Sequence, residues 1–338
     1  MRKAPQERHV GIDMRGGNNL ELTICSVSFH NARHLSLNWE LADRLTRGDG
    51  RLRWVIAENT PDGSEARLDP HDRRFLIIPG VDDSHRDNYQ HTEALHKCFE
   101  HVRTRFLLVL DPDFYIVRPH WLRDVLGHMQ RNDLAMLGVP WHPKYTDKYR
   151  YFPCVHCFFV DLGKIGIDAL DFRPGCDDEP TEIPSDRTSV PRPSAAARWL
   201  GIDALRHRRK DYRDTGTRMY LRYRRDPRFR YECAIPVYKL PDDYQGSGNP
   251  LGWRSRLIES MLPDSLCYLP KRKDSYQSQG FLGRRKGAPS EFWEEFMWQG
   301  APFGFHVRRN ARKGERNAAA ELDALEKAVA TFHADASG

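Results

Sequence analysis

The chain has 338 residues, 39% of them hydrophobic and 11% aromatic, with a net charge of +6. That length allows one large or two ordinary domains with a substantial core, and the composition excludes a disordered chain. Met1 to Val10 carries no apolar h-region, the longest apolar runs are far too short to cross a bilayer, and seven cysteines lack framework spacing; the expectation is a soluble, cytoplasmic protein.

Leu22 to Phe29 is rich in β-branched residues and reads as a strand. Leu37, Leu41 and Leu45 then fall on one helical face. Trp54 to Ala57 is a short strand ending in the turn-rich run 58–64, and Phe75 to Ile78 is a third, closed by Pro79-Gly80. A helix follows from about Asn88, with Ala94, Leu95, Cys98, Phe99 and Val102 as its inward stripe. Phe106 to Leu110 is a fourth strand, Leu122, Val125, Leu126 and Met129 mark another helix, and Leu134 to Val139 returns to strand. Strands separated by helices predict βαβ units and an α/β fold with a mainly parallel sheet. Ligands of such sheets sit beyond the carboxyl ends of the strands. Chemistry is therefore expected at His30-Asn31, Glu58-Asn59, Asp82-Asp83 and Asp111-Pro112-Asp113.

The second half is less regular. Phe152 to Asp161 reads as a strand, residues 171–197 as a long Pro-rich loop, Glu291 to Met297 as a helix, and Ala318 to Phe332 as a terminal helix packed on the body or on another subunit. Cys154-x-x-Cys157, with His156 between, is half of a zinc pattern; no second pair follows, and the run reads as buried thiols beside a pocket. Residues 206–230 hold eleven Arg and Lys interleaved with tyrosines. They form either a solvated helix face or a patch for an anionic membrane surface or a phosphorylated acceptor, while nucleic acid is not expected because no recognition motif accompanies the charge.

Asp111 and Asp113 directly follow a buried apolar strand, and Pro112 turns the chain out of the sheet. Two carboxylates in such a turn suit Mg2+ or Mn2+, which prefer a few carboxylates plus phosphate oxygens of a ligand. The plain alternative is an ordinary Asp-Pro-Asp turn.

The runs T-I-C-S-V-S-F-H-N at 23–31, W-V-I-A-E-N-T at 54–60 and F-L-L-V-L-D-P-D-F at 106–114, in this order and spacing, resemble the nucleotide-binding half of the GT-A glycosyltransferases, family 2 especially, over roughly the first 160 residues. The resemblance implies a GT-A domain with a nucleotide-sugar half over 21–140 and an acceptor half over 141–310, between a tail at 1–20 and a C-terminal helix and tail at 311–338. It implies a nucleotide-sugar donor linked to UDP, GDP or dTDP. Ser26 and Ser28 would line base and ribose, with His30 and Asn59 beside them; Glu58 would contact the base where the family has Asp; and His91 would stand near the donor sugar. Asp111 would be shared between ribose and metal, Asp113 would be the principal ligand of Mn2+ or Mg2+, and His306 in G-F-H-V-R-R would complete the metal site, with Arg308 clamping the diphosphate. A lone His is otherwise most often structural.

An inverting transferase needs a base for the acceptor hydroxyl. Asp214, before a helical segment from Thr217 to about Arg225, is the candidate, with Asp211 in reserve; Asp214 could equally be the N-cap of that helix. The expected function is transfer of one sugar to a glycan, lipid-linked or small-molecule acceptor, since the Q-x-x-R-W motif of processive synthases is missing. Two alternatives stand beside it. A sugar nucleotidylyltransferase would need a Gly-rich loop after the first strand, which the chain lacks, and a non-enzymatic basic module would work through residues 206–230.

Overall fold

The computed structural model describes residues 20–81, 87–145, 148–175, 214–238, 270–282, 293–307 and 316–335, with isolated positions between 257 and 264. The chain begins β1 (Leu20–Ser28), α1 (Ala32–Leu45), β2 (Gly50–Glu58), β3 (Leu76–Pro79), α2 (Asp87–Phe99) and β4 (Phe106–Leu110). It continues through β5 (Phe114–Ile116), α3 (Trp121–Arg131), β6 (Met136–Pro140) and β7 (Pro153–Asp161). The remaining elements are a short helix α4 (Thr217–Tyr223), β8 (Tyr231–Cys233), β9 (Ile235–Pro236), β10 (Glu294–Trp298), β11 (Ala301–His306) and the terminal helix α5 (Arg316–Asp335).

Seven strands form the main sheet in the order β3-β2-β1-β4-β7-β6-β8. β3, β2, β1 and β4 run parallel, β7 is reversed between β4 and β6, and β8 is parallel to β6. The mainly parallel sheet flanked by helices is the architecture the βαβ pattern predicts. β1 and β4 are buried over nearly every residue, as strands covered on both faces must be. α2 packs on β1 and β2, and α3 on β1 and β6. Leu37, Leu41 and Leu45 of α1 are buried as their spacing requires. Each fully buried Leu or Ile side chain stabilises the fold by about 1.5–3 kcal/mol relative to exposure.

A second sheet, β5-β11-β10-β9, stands beside the first. The helix expected over Glu291 to Met297 is instead strand β10. Its buried residues Glu294, Phe296 and Trp298 alternate with less buried ones, a period of two, and it pairs antiparallel with β11. Gln299 and Gly300 turn this hairpin with φ of 50° and 75°, the left-handed pair of a two-residue loop whose twist matches the strands. The terminal helix packs on its own chain. Leu325, Val329 and Phe332 are buried, the Phe332 ring stacks 6.0 Å from Phe305, and Arg33 of α1 pairs with Glu326 at 2.5 Å.

Candidate metal and nucleotide site

The turn after β4 lies where the two sheets meet. Phe114 N–H donates to the Asp111 carbonyl at 3.0 Å, closing a tight turn with Pro112 at its first central position, where a fixed φ is pre-set. Asn38 of α1 locks the turn from beneath: its buried amide donates to the Phe114 carbonyl at 2.7 Å and reaches the Pro112 carbonyl at 3.4 Å. On one side, Asp111 N–H donates to the His156 carbonyl of β7 at 3.1 Å; on the other, Val307 N–H donates to the Asp113 carbonyl at 2.9 Å. The turn thus presents one carboxylate to the main sheet and the other to the second sheet.

Asp111 Oδ2 lies 2.6 Å from His156 Nδ1, and its Oδ1 lies 3.8 Å from His91 Nε2 of α2. Asp113 Oδ1 lies 3.4 Å from His306 Nε2, at the end of β11. The His156 and His306 rings stack at 4.0 Å. Behind them Glu294, 1% exposed, places Oε2 2.8 Å from His306 Nδ1, while its Oε1 accepts from Tyr145 OH at 2.5 Å and pairs with Lys144 Nζ at 2.6 Å. Ligating atoms of Asp111, His156 and His306 all lie within 4.8 Å of one another.

The electrostatics follow from burial and mutual contact. Burial alone would raise the Asp113 carboxyl, but the His306 charge and hydrogen bond outweigh it and hold the group at about 2. Burial would lower His306, yet Asp113 and Glu294 push it up to about 10. Asp111 and Glu294 are likewise held below the usual carboxylate range despite burial, by His156 and by His306 respectively. Burial pushes His142 down to about 4, so it is neutral at pH 7, and its Nε2 bonds the Val237 carbonyl at 2.9 Å. Three carboxylates, Lys144 and a protonated His306 leave one net negative charge.

The remaining expected residues are placed as follows. The Ser26 and Ser28 hydroxyls, at the end of β1, are buried and have no hydrogen-bond partner among the described residues. His30 is exposed beside them, its backbone N–H on Thr60 Oγ1 at 2.8 Å. Glu58 is buried and both carboxylate oxygens accept backbone amides, Thr60 N–H at 2.8 Å and Leu68 N–H at 3.0 Å, so it shapes the loop after β2. Asn59 Oδ1 accepts Val81 N–H at 2.9 Å, and a Cβ at Gly80 would fall 1.8 Å from that oxygen. Asp214 is not the N-cap of α4: Gly216 holds that position with φ 86°, which a left-handed cap demands. The Asp214 carboxylate instead pairs with Lys148, whose ammonium sits 5.2 Å over the Trp141 ring, and Trp141 in turn meets His156 edge-on at 4.6 Å. Asp82, Asp83, Asp211 and Arg308 lie outside the described residues, as does the loop over 176–197.

Glu294, Lys144, Tyr145 and His156 have no counterpart among the expected site residues. A histidine inside an otherwise apolar buried strand was the available signal for His156. Its neighbours Cys154 and Cys157 are buried thiols, pushed upward by burial. Within 214–230 the basic run is largely engaged locally, with Arg218 on Asp171, Arg228 on Asp226 and Arg224 on the Tyr220 hydroxyl. No helix among the described residues is long and apolar enough to cross a membrane.

No family model and no curated protein matches this chain. Solved structures do. A mannosyltransferase from Pyrobaculum calidifontis, in complex with GDP-Man and Mn2+, is 10% identical, with TM-score 0.32, over 43% of this chain and 46% of its own. TarS from S. aureus, in complex with UDP-GlcNAc, is 13% identical, with TM-score 0.26, over 36% of this chain and 34% of its own. A CMP:2-keto-3-deoxy-manno-octonic acid synthetase complexed with CTP is 12% identical, with TM-score 0.30, over 44% of this chain and 75% of its own. The chain spans less than half the length of the first two.

Proposed function

We propose that the chain is an inverting, metal-dependent glycosyltransferase that moves one sugar from a nucleotide-sugar to an acceptor hydroxyl. The single observation that carries this reading is the convergence of Asp111, Asp113, His156 and His306 at the carboxyl edge of the parallel strands.

The donor set fits Mn2+ or Mg2+, and its imidazoles favour Mn2+ of the two. Supporting the fit, His156 Nε2 is buried with no hydrogen-bond partner among the described residues, a cost that a ligand to it would remove. Asp111, Asp113, His156 and His306 would hold the ion, with Glu294 orienting His306 through Nδ1. When bound, the ion supplies Lewis-acid stabilisation of the departing diphosphate.

The protein's own part is to place the reactants. His30, exposed at the end of β1, and the loop braced by Glu58 and Asn59 are the proposed strand-end surface for the nucleoside, within the proposed donor half over 21–140, with the Ser26 and Ser28 hydroxyls buried behind it. In the transfer, the acceptor oxygen bonds to the anomeric carbon as that carbon's bond to the diphosphate oxygen breaks. The nucleoside diphosphate leaves, and the hydroxyl proton passes to a carboxylate. Asp214 is the proposed base: it is joined to the metal cluster through Lys148, Trp141 and His156.

A thermal-shift screen of UDP-, GDP- and dTDP-sugars with and without Mn2+ tests the reading, because a ligand that binds only the folded state raises its melting point. One donor class stabilising the protein only with metal is the expected outcome; no shift with any of them would sink it.

A further inference from the structure

Among the described residues, the chain passes from the main sheet to the second sheet at two places. One is the Asp111-Pro112-Asp113 turn between β4 and β5; the other is Ala234, between β8 and β9. β7 is reversed against both β4 and β6, and β8 is parallel to β6, so Pro140 and Cys233 end on the same sheet edge as Leu110. At this second crossing lies a cavity of about 190 Å3. It is smaller than the pockets of about 300–1,000 Å3 that enclose drug-sized ligands, and has the scale of a single sugar ring.

Trp141, Tyr151 and Tyr231 give the cavity aromatic walls, and Arg272, Asp274 and Ser275 give it polar groups. These walls are fixed in place. The Ser275 N–H and hydroxyl both donate to the Arg272 carbonyl, at 3.1 and 2.6 Å, closing a tight turn that carries Asp274. Gln277 N–H donates to the Pro236 carbonyl at 3.1 Å, which ties the segment after that turn to β9. Tyr151 is held at φ 59°, a left-handed backbone that bulky residues seldom adopt. The Arg272 backbone N–H donates to the Tyr151 hydroxyl at 3.1 Å, and the Arg272 guanidinium lies 4.4 Å over the same ring. Charge is balanced. Arg150 Nη1 donates to the Asp264 carbonyl at 3.2 Å and lies 3.5 Å from its carboxylate, while Arg272 shares its turn with Asp274. Two guanidiniums and two carboxylates cancel, so the cavity favours an uncharged ligand. Aromatic faces beside hydrogen-bonding groups suit a sugar ring, whose C–H faces are apolar and whose hydroxyls both donate and accept.

We infer that this cavity binds one uncharged sugar ring of the acceptor, with the aromatic walls against its faces and Asp274 and Arg272 on its hydroxyls. Trp141 stands between the cavity and the metal cluster: it lines the cavity, and its ring meets His156 edge-on at 4.6 Å. A ring seated there lies on the far side of Trp141 from the proposed diphosphate position, which is the acceptor's side and not the donor's. The acceptor role rests on the glycosyl-transfer reading above; the sugar site does not.

The test is a saturation-transfer NMR titration of the full chain, with no metal or nucleotide added. The probes are the methyl glycosides of glucose, galactose, mannose and N-acetylglucosamine, with glucuronate and glycerol 1-phosphate as charged comparisons. At least one glycoside binds, the charged probes bind about tenfold or more weakly, and the glycoside that binds identifies the acceptor's sugar. In Asp274→Ala its dissociation constant rises about tenfold or more, Asp274→Asn keeps part of the affinity, and the melting temperature stays at the wild-type value. Asp113→Asn leaves glycoside binding unchanged. Absence of glycoside binding, equal binding of the charged probes, or wild-type affinity in Asp274→Ala overturns the site. Nucleoside-diphosphate binding with Mn2+, measured on the same proteins, separates the two readings. Glycoside binding without it removes the transferase reading and with it the acceptor role; nucleotide binding without glycoside binding removes the cavity proposal alone.

Discussion

Glu294 and His306 are direct cross-strand partners in the β10–β11 hairpin, with Glu294 Oε2 2.8 Å from His306 Nδ1. That contact leaves Nε2 of the same ring turned to Asp113 at 3.4 Å, the arrangement by which a buried carboxylate fixes the tautomer and raises the basicity of a metal-binding imidazole. The second sheet, unrelated to the βαβ pattern, thereby supplies one wall of the proposed site.

Glu294→Gln removes the charge while keeping the shape. Mn2+ affinity falls about 10–100-fold, read by electron paramagnetic resonance titration of free Mn2+. An unchanged affinity would mean that His306 does not reach the metal.

In the proposed site, metal binding displaces the His306 proton. Because the folded, metal-free His306 is raised to about 10 from 6.5, that proton is present throughout the neutral range. Its contribution to folding stability is complete below about 6.5 and is lost as pH rises towards 10. Conversely, Mn2+ affinity rises with pH over the same window, and titrations in buffers of different ionisation heat register release of about one proton per ion at pH 7.5. Metal binding without proton release contradicts the assignment.

Gly304 lies on β11, the strand that carries His306, opposite Ile116 of β5, the strand that directly follows Asp113. A Cβ there would sit 2.6 Å from the Tyr115 carbonyl oxygen and 2.8 Å from the Phe114 ring, the first of which is backbone and cannot yield cheaply. Gly304→Ala costs about 1–3 kcal/mol in denaturant unfolding and weakens Mn2+ binding together with stability, because β5 and β11 are pushed apart. A variant as stable as wild type would show that the two strands give freely.

Asp214→Asn tests the base. Turnover falls by about 10²–10⁴-fold while metal-dependent nucleotide binding is retained. Full turnover in the variant moves the role to another carboxylate.

How much of this was legible in the sequence follows from where the partners lie. β1, β2, β4 and the Asp111-Pro112-Asp113 turn are local features: apolar runs long enough for a strand, each ending in polar turn residues. Asp111 and His156 are neighbours only through the antiparallel register that sets Leu110 against Cys157, 47 residues apart in sequence, and nothing near either residue encodes it. Glu294 was hidden differently. W-E-E-F-M-W carries a helix-compatible composition, and its period of two is only five residues long, turned by Gln299-Gly300 without the Asn-Gly that marks such hairpins. His306, by contrast, was legible from the resemblance of its segment, and the structure sets it beside Asp113. Asp214 failed as a cap because Gly216, two residues later, takes the left-handed position.

The most direct test of the central claim is calorimetric binding of UDP, GDP and dTDP to wild type and to Asp113→Ala, each with Mn2+ and with the metal chelated. The account predicts that one diphosphate binds wild type about tenfold or more tightly with Mn2+ than without, and that Asp113→Ala, folded to the same melting temperature, loses that metal-dependent gain. Metal-independent binding of equal strength in both proteins, or binding of none of the three, would contradict it.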